Sequence, residues 1–263
     1  MTAVCRPNRL SKPFPRKLLR TASYEEALAR LQFLVEHDSR LGLLVGPSGV
    51  GKTTVLETFA EELQRASCLT AVVNIVGLEP EELLWSLAVK LQTPVENDWN
   101  LGRLWRALGD RLTELRFLRE QAVVLIDDGG LGAGDVLLHL YRLLQSQAAT
   151  DARLSMIVAA TPESAPRLGR NLLDLVDLKI DLPGWSVGET RALIDATADA
   201  GKPLVRFSAS AIERLHELSS GAPRSILRLA ELARLAAKAA DDDFVDLELV
   251  EMVFAELSVA KAG

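Results

Sequence analysis

The sequence predicts an α/β fold, a parallel five-stranded sheet covered by helices on both faces, followed by an all-α segment. Three observations predict it. Apolar runs near 41–45, 70–76, 122–127, 154–160 and 176–182 alternate with helical stretches near 52–66, 80–91, 100–119 and 134–148. Strands separated by helices of that length need crossovers, so they run parallel and are buried on both faces. From Ser186 onward the apolar spacing is helical only, and the glycine-rich stretch Gly46–Thr53 lies where the first strand gives way to a helix.

The elements follow in order. Residues 1–22 form a basic arm, with Arg6, Arg9, Lys12, Arg16, Lys17 and Arg20 and no acid. Ser23 with Glu26 reads as a capping box opening a helix that runs to about His37. Leu41 to Val45 is the first strand, and Val55 to Leu63 continues as an amphipathic helix beyond the glycines. The strand Val123-Val124-Leu125-Ile126 ends in Asp127-Asp128, followed by Gly129-Gly130. A second capping box, Ser186 with Glu189, opens a four-helix lid with segments near 187–200, 208–219, 223–239 and 246–257. Gly221 ends one of these helices before Pro223 starts the next. The expected organisation is an arm over 1–22, a core over 23–184 and a lid over 185–263, with a short hinge at Pro183-Gly184.

Composition narrows the function. The chain has 263 residues, 48% of them hydrophobic, enough for a core without staples. Its two cysteines, Cys5 and Cys68, have no CxxC spacing and its three histidines are scattered, so neither a zinc site nor a disulfide framework is indicated. A reducing cytoplasm fits that usage. No apolar run is long enough to span a bilayer. A net charge of −6 argues against a dedicated DNA-binding domain, although the arm has the composition to touch nucleic acid, an acidic neighbouring subunit or a membrane surface, or to be a solvated tail.

The chemistry is carried by Gly46-Pro47-Ser48-Gly49-Val50-Gly51-Lys52-Thr53, with Thr54 next in the helix. A glycine, four residues, then glycine, lysine and serine or threonine is the phosphate-loop pattern. The glycines allow a tight turn with several N–H groups aimed inward, and the following helix adds the positive end of its dipole. Lys52 would reach the β- and γ-phosphates and the Thr53 hydroxyl would occupy one position on Mg²⁺. Asp127, at the end of a buried strand, would hold Mg²⁺ directly or through water, and Asp128 stands where a carboxylate can orient or deprotonate a water. No Asn-Lys-x-Asp tetrapeptide for reading guanine occurs, so ATP is the expected nucleotide.

With these residues, the strand Met156–Ala160 followed by Thr161-Pro162-Glu163, and Gly221-Ala222-Pro223-Arg224, nearly the whole chain resembles the AAA+ ATPases, in particular the bacterial ExeA-type secretion ATPases and those that accompany DNA transposases. The resemblance implies that Thr161 is a polar sensor of the γ-phosphate and Arg224 a second sensor at the start of a lid helix. Two departures stand out. The acidic strand ends in Asp-Asp where the family has Asp-Glu, and no arginine occupies Asp174-Leu175-Val176-Asp177, where an arginine finger is expected; Arg167 and Arg170 are the nearest substitutes. The expected function is an ATP-hydrolysing switch that assembles with itself or a protein partner. The alternatives are a weakly hydrolysing scaffold and a DNA-associated regulator.

Overall fold

The structure, a computed structural model, describes residues 20–96, 98–150, 153–197 and 205–262. The basic arm up to residue 19 lies outside them. Chain order is α1 (Ala22–Glu36), β1 (Leu41–Val45), α2 (Lys52–Arg65), β2 (Leu69–Asn74), α3 (Pro80–Lys90), α4 (Leu101–Leu118), β3 (Gln121–Asp127), α5 (Gly134–Thr150), β4 (Arg153–Ala160), α6 (Gly169–Leu173) and β5 (Leu178–Asp181). The helical segment follows as α7 (Val187–Ala196), β6 (Arg206–Phe207), α8 (Ala209–Ser219), α9 (Pro223–Ala239), β7 (Phe244–Val245) and α10 (Leu247–Ala262).

The five strands form one parallel sheet in the order β2-β3-β4-β1-β5. Strand side chains alternate between faces, and both faces are dry here. Leu41, Leu43, Val124 and Ile126 pack with α3, α4 and α5, whereas Leu44, Val123 and Leu125 pack with α1 and α2. This two-sided burial explains why the strands read as unbroken apolar runs. A third cluster around Trp185, Leu193, Leu215, Ile226 and Val245 holds α7 to α10 together. Because all strands run the same way, β1, β3 and β4 open at one end of the sheet, where ligands of open α/β sheets bind.

The structure corrects two local readings. Ser23 is not the cap of α1: the Thr21 hydroxyl accepts from the Tyr24 N–H at 3.2 Å, and the helix starts at Ala22. Tyr24 sets that register, since it is buried and its hydroxyl donates to Thr58 on α2 at 2.6 Å. The C-terminal segment expected to be a lid is also not purely helical. Arg206–Phe207 pairs in parallel with Phe244–Val245, two residues a side, too short to leave a period in the sequence. The Ser186–Glu189 capping box is present, with Ser186 N–H donating to the Glu189 carboxylate at 2.7 Å.

Candidate functional site

Residues 46–53 fold as an open loop between β1 and α2. Its start is fixed by the Gly46 N–H donating to Ala160 O at 3.2 Å, at the end of β4. Gly49 (φ +78) and Gly51 (φ +115) lie in the left-handed region that only glycine occupies freely, so two of the motif's glycines are demanded by backbone geometry. Gly46 is required by space: a Cβ there would stand 2.5 Å from Leu182 O. Val50 is 3% exposed and anchors the loop from below.

Lys52, the first residue of α2, is 7% exposed and folds back over the loop, its Nζ donating to Gly46 O at 2.7 Å and Pro47 O at 3.0 Å. Burial lowers its pKa from the ordinary 10.5. The carboxylates of Asp128 and Asp127 oppose that shift, and the Arg224 guanidinium adds to it. Thr53 Oγ1 donates to Asp127 Oδ2 at 2.8 Å, and Asp127 Oδ1 accepts from the Asp128 N–H at 3.1 Å. The hydroxyl and carboxylate expected on Mg²⁺ therefore meet, although the sequence separates them by 74 residues. Both are hard oxygen donors, which suits Mg²⁺. Among the described residues no group of three or more His, Cys, Asp or Glu could hold a metal by itself.

A cavity of about 300 Å³ opens above these groups, lined by Ser48, Gly49, Gly51, Lys52, Thr53, Thr54, Asp128 and Thr161 from the core and by Pro223, Arg224 and Leu227 from the start of α9. Arg224 thus reaches the loop from the start of α9. Its main-chain N–H donates to Gly49 O at 3.3 Å. Thr161 Oγ1 donates to Ser164 Oγ at 3.1 Å and accepts from the Ser164 N–H at 3.2 Å, so its hydroxyl starts the following turn while facing the cavity. Arg167 and Arg170 are not at this cavity; they line a separate hollow of about 250 Å³ with Gly134, Leu138 and Tyr141.

Several contributors were not foreseen. Asn74, opposite Asp127 in the sheet register, donates from Nδ2 to Asp128 Oδ2 at 3.0 Å and accepts from the Val76 N–H at 3.0 Å. The available signal was a lone amide at the end of an apolar strand. Leu227 gives the cavity an apolar wall, one turn beyond Pro223. Glu163 is exposed; its own backbone N–H first, with the Lys52 charge adding to it, holds its carboxyl below the ordinary 4.5.

No helix among the described residues is long and apolar enough to cross a membrane. General secretion pathway protein A of Aeromonas hydrophila is 26% identical over 232 residues, which is 86% of this chain, and the chain spans 42% of that relative's length. Among solved structures, the Aeropyrum pernix ORC2 protein superposes with a TM-score of 0.63 at 16% identity, covering 95% of this chain and 70% of that one. The Thermotoga maritima RuvB branch-migration motor gives 0.58 at 21% identity, covering 91% and 73%. These two likenesses show the fold. The model of the AAA domain family matches residues 35–168, half of the chain and all of the loop-to-acid core, and this protein belongs to that family of AAA+ ATPases.

Proposed function

We propose that the protein is an ATP-driven switch that binds Mg·ATP between the α/β core (23–184) and the helical lid (185–263), closes on it, and assembles with like subunits or a protein partner until hydrolysis to ADP and phosphate resets it. The observation that carries this reading is the convergence on one cavity of Lys52, Asp128, Thr161 and Arg224 from four separate stretches of chain, beside the Thr53–Asp127 pair.

The loop's N–H groups and Lys52 bind the phosphates; in doing so Lys52 turns from the carbonyls of Gly46 and Pro47 to phosphate oxygens. Thr53 and Asp127 would hold Mg²⁺, which supplies charge neutralisation on the phosphate oxygens when bound. Asp128 accepts the proton of the attacking water, through the carboxylate oxygen that Asn74 does not engage. Thr161 polarises the γ-phosphate once its hydroxyl proton swings from Ser164. The Arg224 guanidinium distinguishes ATP from ADP as a two-pronged donor. The free thiol of Cys68 suits a reducing cytoplasm, and a neighbouring subunit's Arg167 or Arg170 would complete the site in an assembly.

A second reading, a scaffold that binds ATP and scarcely hydrolyses it, is favoured by the short Asp128 side chain already engaged by Asn74. Steady-state hydrolysis of Mg·ATP by the purified chain, with and without double-stranded DNA, separates these. Turnover lost in Asp128→Asn supports the switch; binding without turnover supports the scaffold. Stimulation by DNA that disappears with residues 1–19 makes the chain a DNA-associated regulator acting through its basic arm.

A further inference from the structure

The phosphate loop is held at its start and at Gly49 by main-chain contacts that trace one circuit through the hinge and the lid. At its start, the Leu182 N–H donates to Val45 O at 2.7 Å, and Leu182 O closes off the space beside Gly46. Two residues on, Gly184 lies against the end of α8, where a Cβ would stand 2.5 Å from Ser220 O. The Trp185 N–H donates to Gly221 O at 2.8 Å. Gly221 itself has φ +67, and a Cβ there would stand 2.8 Å from Trp185 N. Three residues later the Arg224 N–H reaches Gly49 O, and a Cβ on Gly49 would stand 3.1 Å from the Arg224 Cβ.

Arg224 is the second residue of α9, and N–H groups in a first helical turn have no acceptor within their own helix. Gly49 O supplies one. Any movement of the loop as it takes phosphates moves that carbonyl, and through it the first turn of α9. Trp185, 8% exposed in the lid's apolar cluster, ties the same joint to the lid interior.

We infer that Gly184 and Gly221 are positioning residues whose backbone joint seats the start of α9 on the phosphate loop, so that the lid registers an occupied loop through the Arg224 main-chain N–H, independently of the guanidinium. The inference rests on the reading of the cavity as a nucleotide site. It divides sensing into two parts: the main chain reports any bound nucleotide, and the guanidinium reports the third phosphate.

Amide hydrogen exchange over residues 221–227 of the full chain tests this, without ligand and with ADP, in the wild type, Arg224→Ala and Gly184→Ala. ADP lacks the phosphate the guanidinium would read. In the wild type ADP slows exchange at residue 224 by about fivefold or more, the scale on which a local opening is suppressed. Arg224→Ala keeps that slowing because its N–H is intact. Gly184→Ala keeps Arg224 yet loses the slowing, and binds ADP about tenfold more weakly, because a Cβ 2.5 Å from Ser220 O forces the joint apart. Loss of the ADP effect in Arg224→Ala, or its persistence in Gly184→Ala, overturns the inference. Should Gly184→Ala show no cooperative unfolding, Arg224→Ala decides alone. ADP that binds by calorimetry without slowing exchange in the wild type overturns the inference and leaves the nucleotide site standing, whereas absence of ADP binding overturns both.

Discussion

Replacement of Lys52 by alanine separates the binding of phosphate from the stability of the fold. In the free protein the ammonium bonds two neutral carbonyls, Gly46 O and Pro47 O, in a buried position. Against a phosphate oxygen about 4 Å away, a unit charge near a protein surface gains about 4 kcal/mol. Giving up the two carbonyl contacts offsets about 2 kcal/mol of this, at about 1 kcal/mol for each net hydrogen bond. The remaining ~2 kcal/mol corresponds to a loss of affinity of roughly 30-fold in Lys52→Ala. The free protein behaves differently. Two carbonyls lose a donor at about 1 kcal/mol each, while removal of a desolvated cation returns a similar amount, so the melting midpoint moves by no more than about 4 °C. Isothermal calorimetry with Mg·ATP and thermal unfolding without nucleotide give the two numbers. A variant that binds ATP within about threefold of the wild type would refute the assignment of Lys52 to phosphate.

The remaining predictions address the acid, the pH dependence and the turn. Asp128→Asn keeps ATP affinity within about threefold and lowers kcat by about a hundredfold or more, as expected for loss of a general base, measured by phosphate release. The lowered pKa of Lys52 has opposite consequences for binding and stability. Bound phosphate favours the ammonium, so affinity falls as pH rises through the free-state pKa, and calorimetry in two buffers of different ionisation enthalpy shows proton uptake in that range. The unfolded chain holds its proton up to about 10.5, so free-protein stability rises with pH between the folded value and 10.5. Parallel movement of affinity and stability in that window would contradict the burial of Lys52. Asp128→Glu, which restores the longer acid, loses about 1 kcal/mol of stability because it forces a less tolerant side chain into φ +52, and does not raise kcat. Faster turnover in that variant would show that reach, not backbone conformation, limits the site.

What the sequence made legible follows from what is local. The phosphate loop, the strand ending in Asp127 and the glycine-proline pair before Arg224 are each set by a few neighbouring residues, and each lies where the pattern placed it. One reading failed where two local signals competed: Thr21 and Ser23 are both good caps, and the buried Tyr24 bonded to Thr58 selects between them. Asn74, Ser164 and Leu227 were illegible because their significance is relational. Asn74 matters through a strand pairing that aligns it with Asp127, Ser164 through its bonds with Thr161, and Leu227 through the seating of α9 over the loop. The two short strands of the lid offer no period to read, since two residues cannot show alternation.

The Asp-Asp-Gly-Gly run shows how far a chemical reading differs from a conformational one. As chemistry, Asp128 is an acid one methylene short of the family's glutamate. As backbone, it is the residue at which the chain leaves β3 in a left-handed conformation, φ +52, and enters a tight turn over Gly129–Leu131. Aspartate tolerates that region better than a longer side chain does. The glycines that follow are dictated by contact: a side chain on Gly129 would enter Val158 of β4, and one on Gly130 would enter Ser164, the partner of Thr161. The turn after the acid and the turn after β4 are therefore packed without room for a methyl group between them, and a shift in one must be accommodated by the other. Asp128 is held by Asn74 on one side and by this turn on the other, and the turn packs against Ser164, the partner of Thr161. The short acid is thus part of the geometry that brings both residues to the cavity, and lengthening it alone disturbs that geometry before it improves the chemistry.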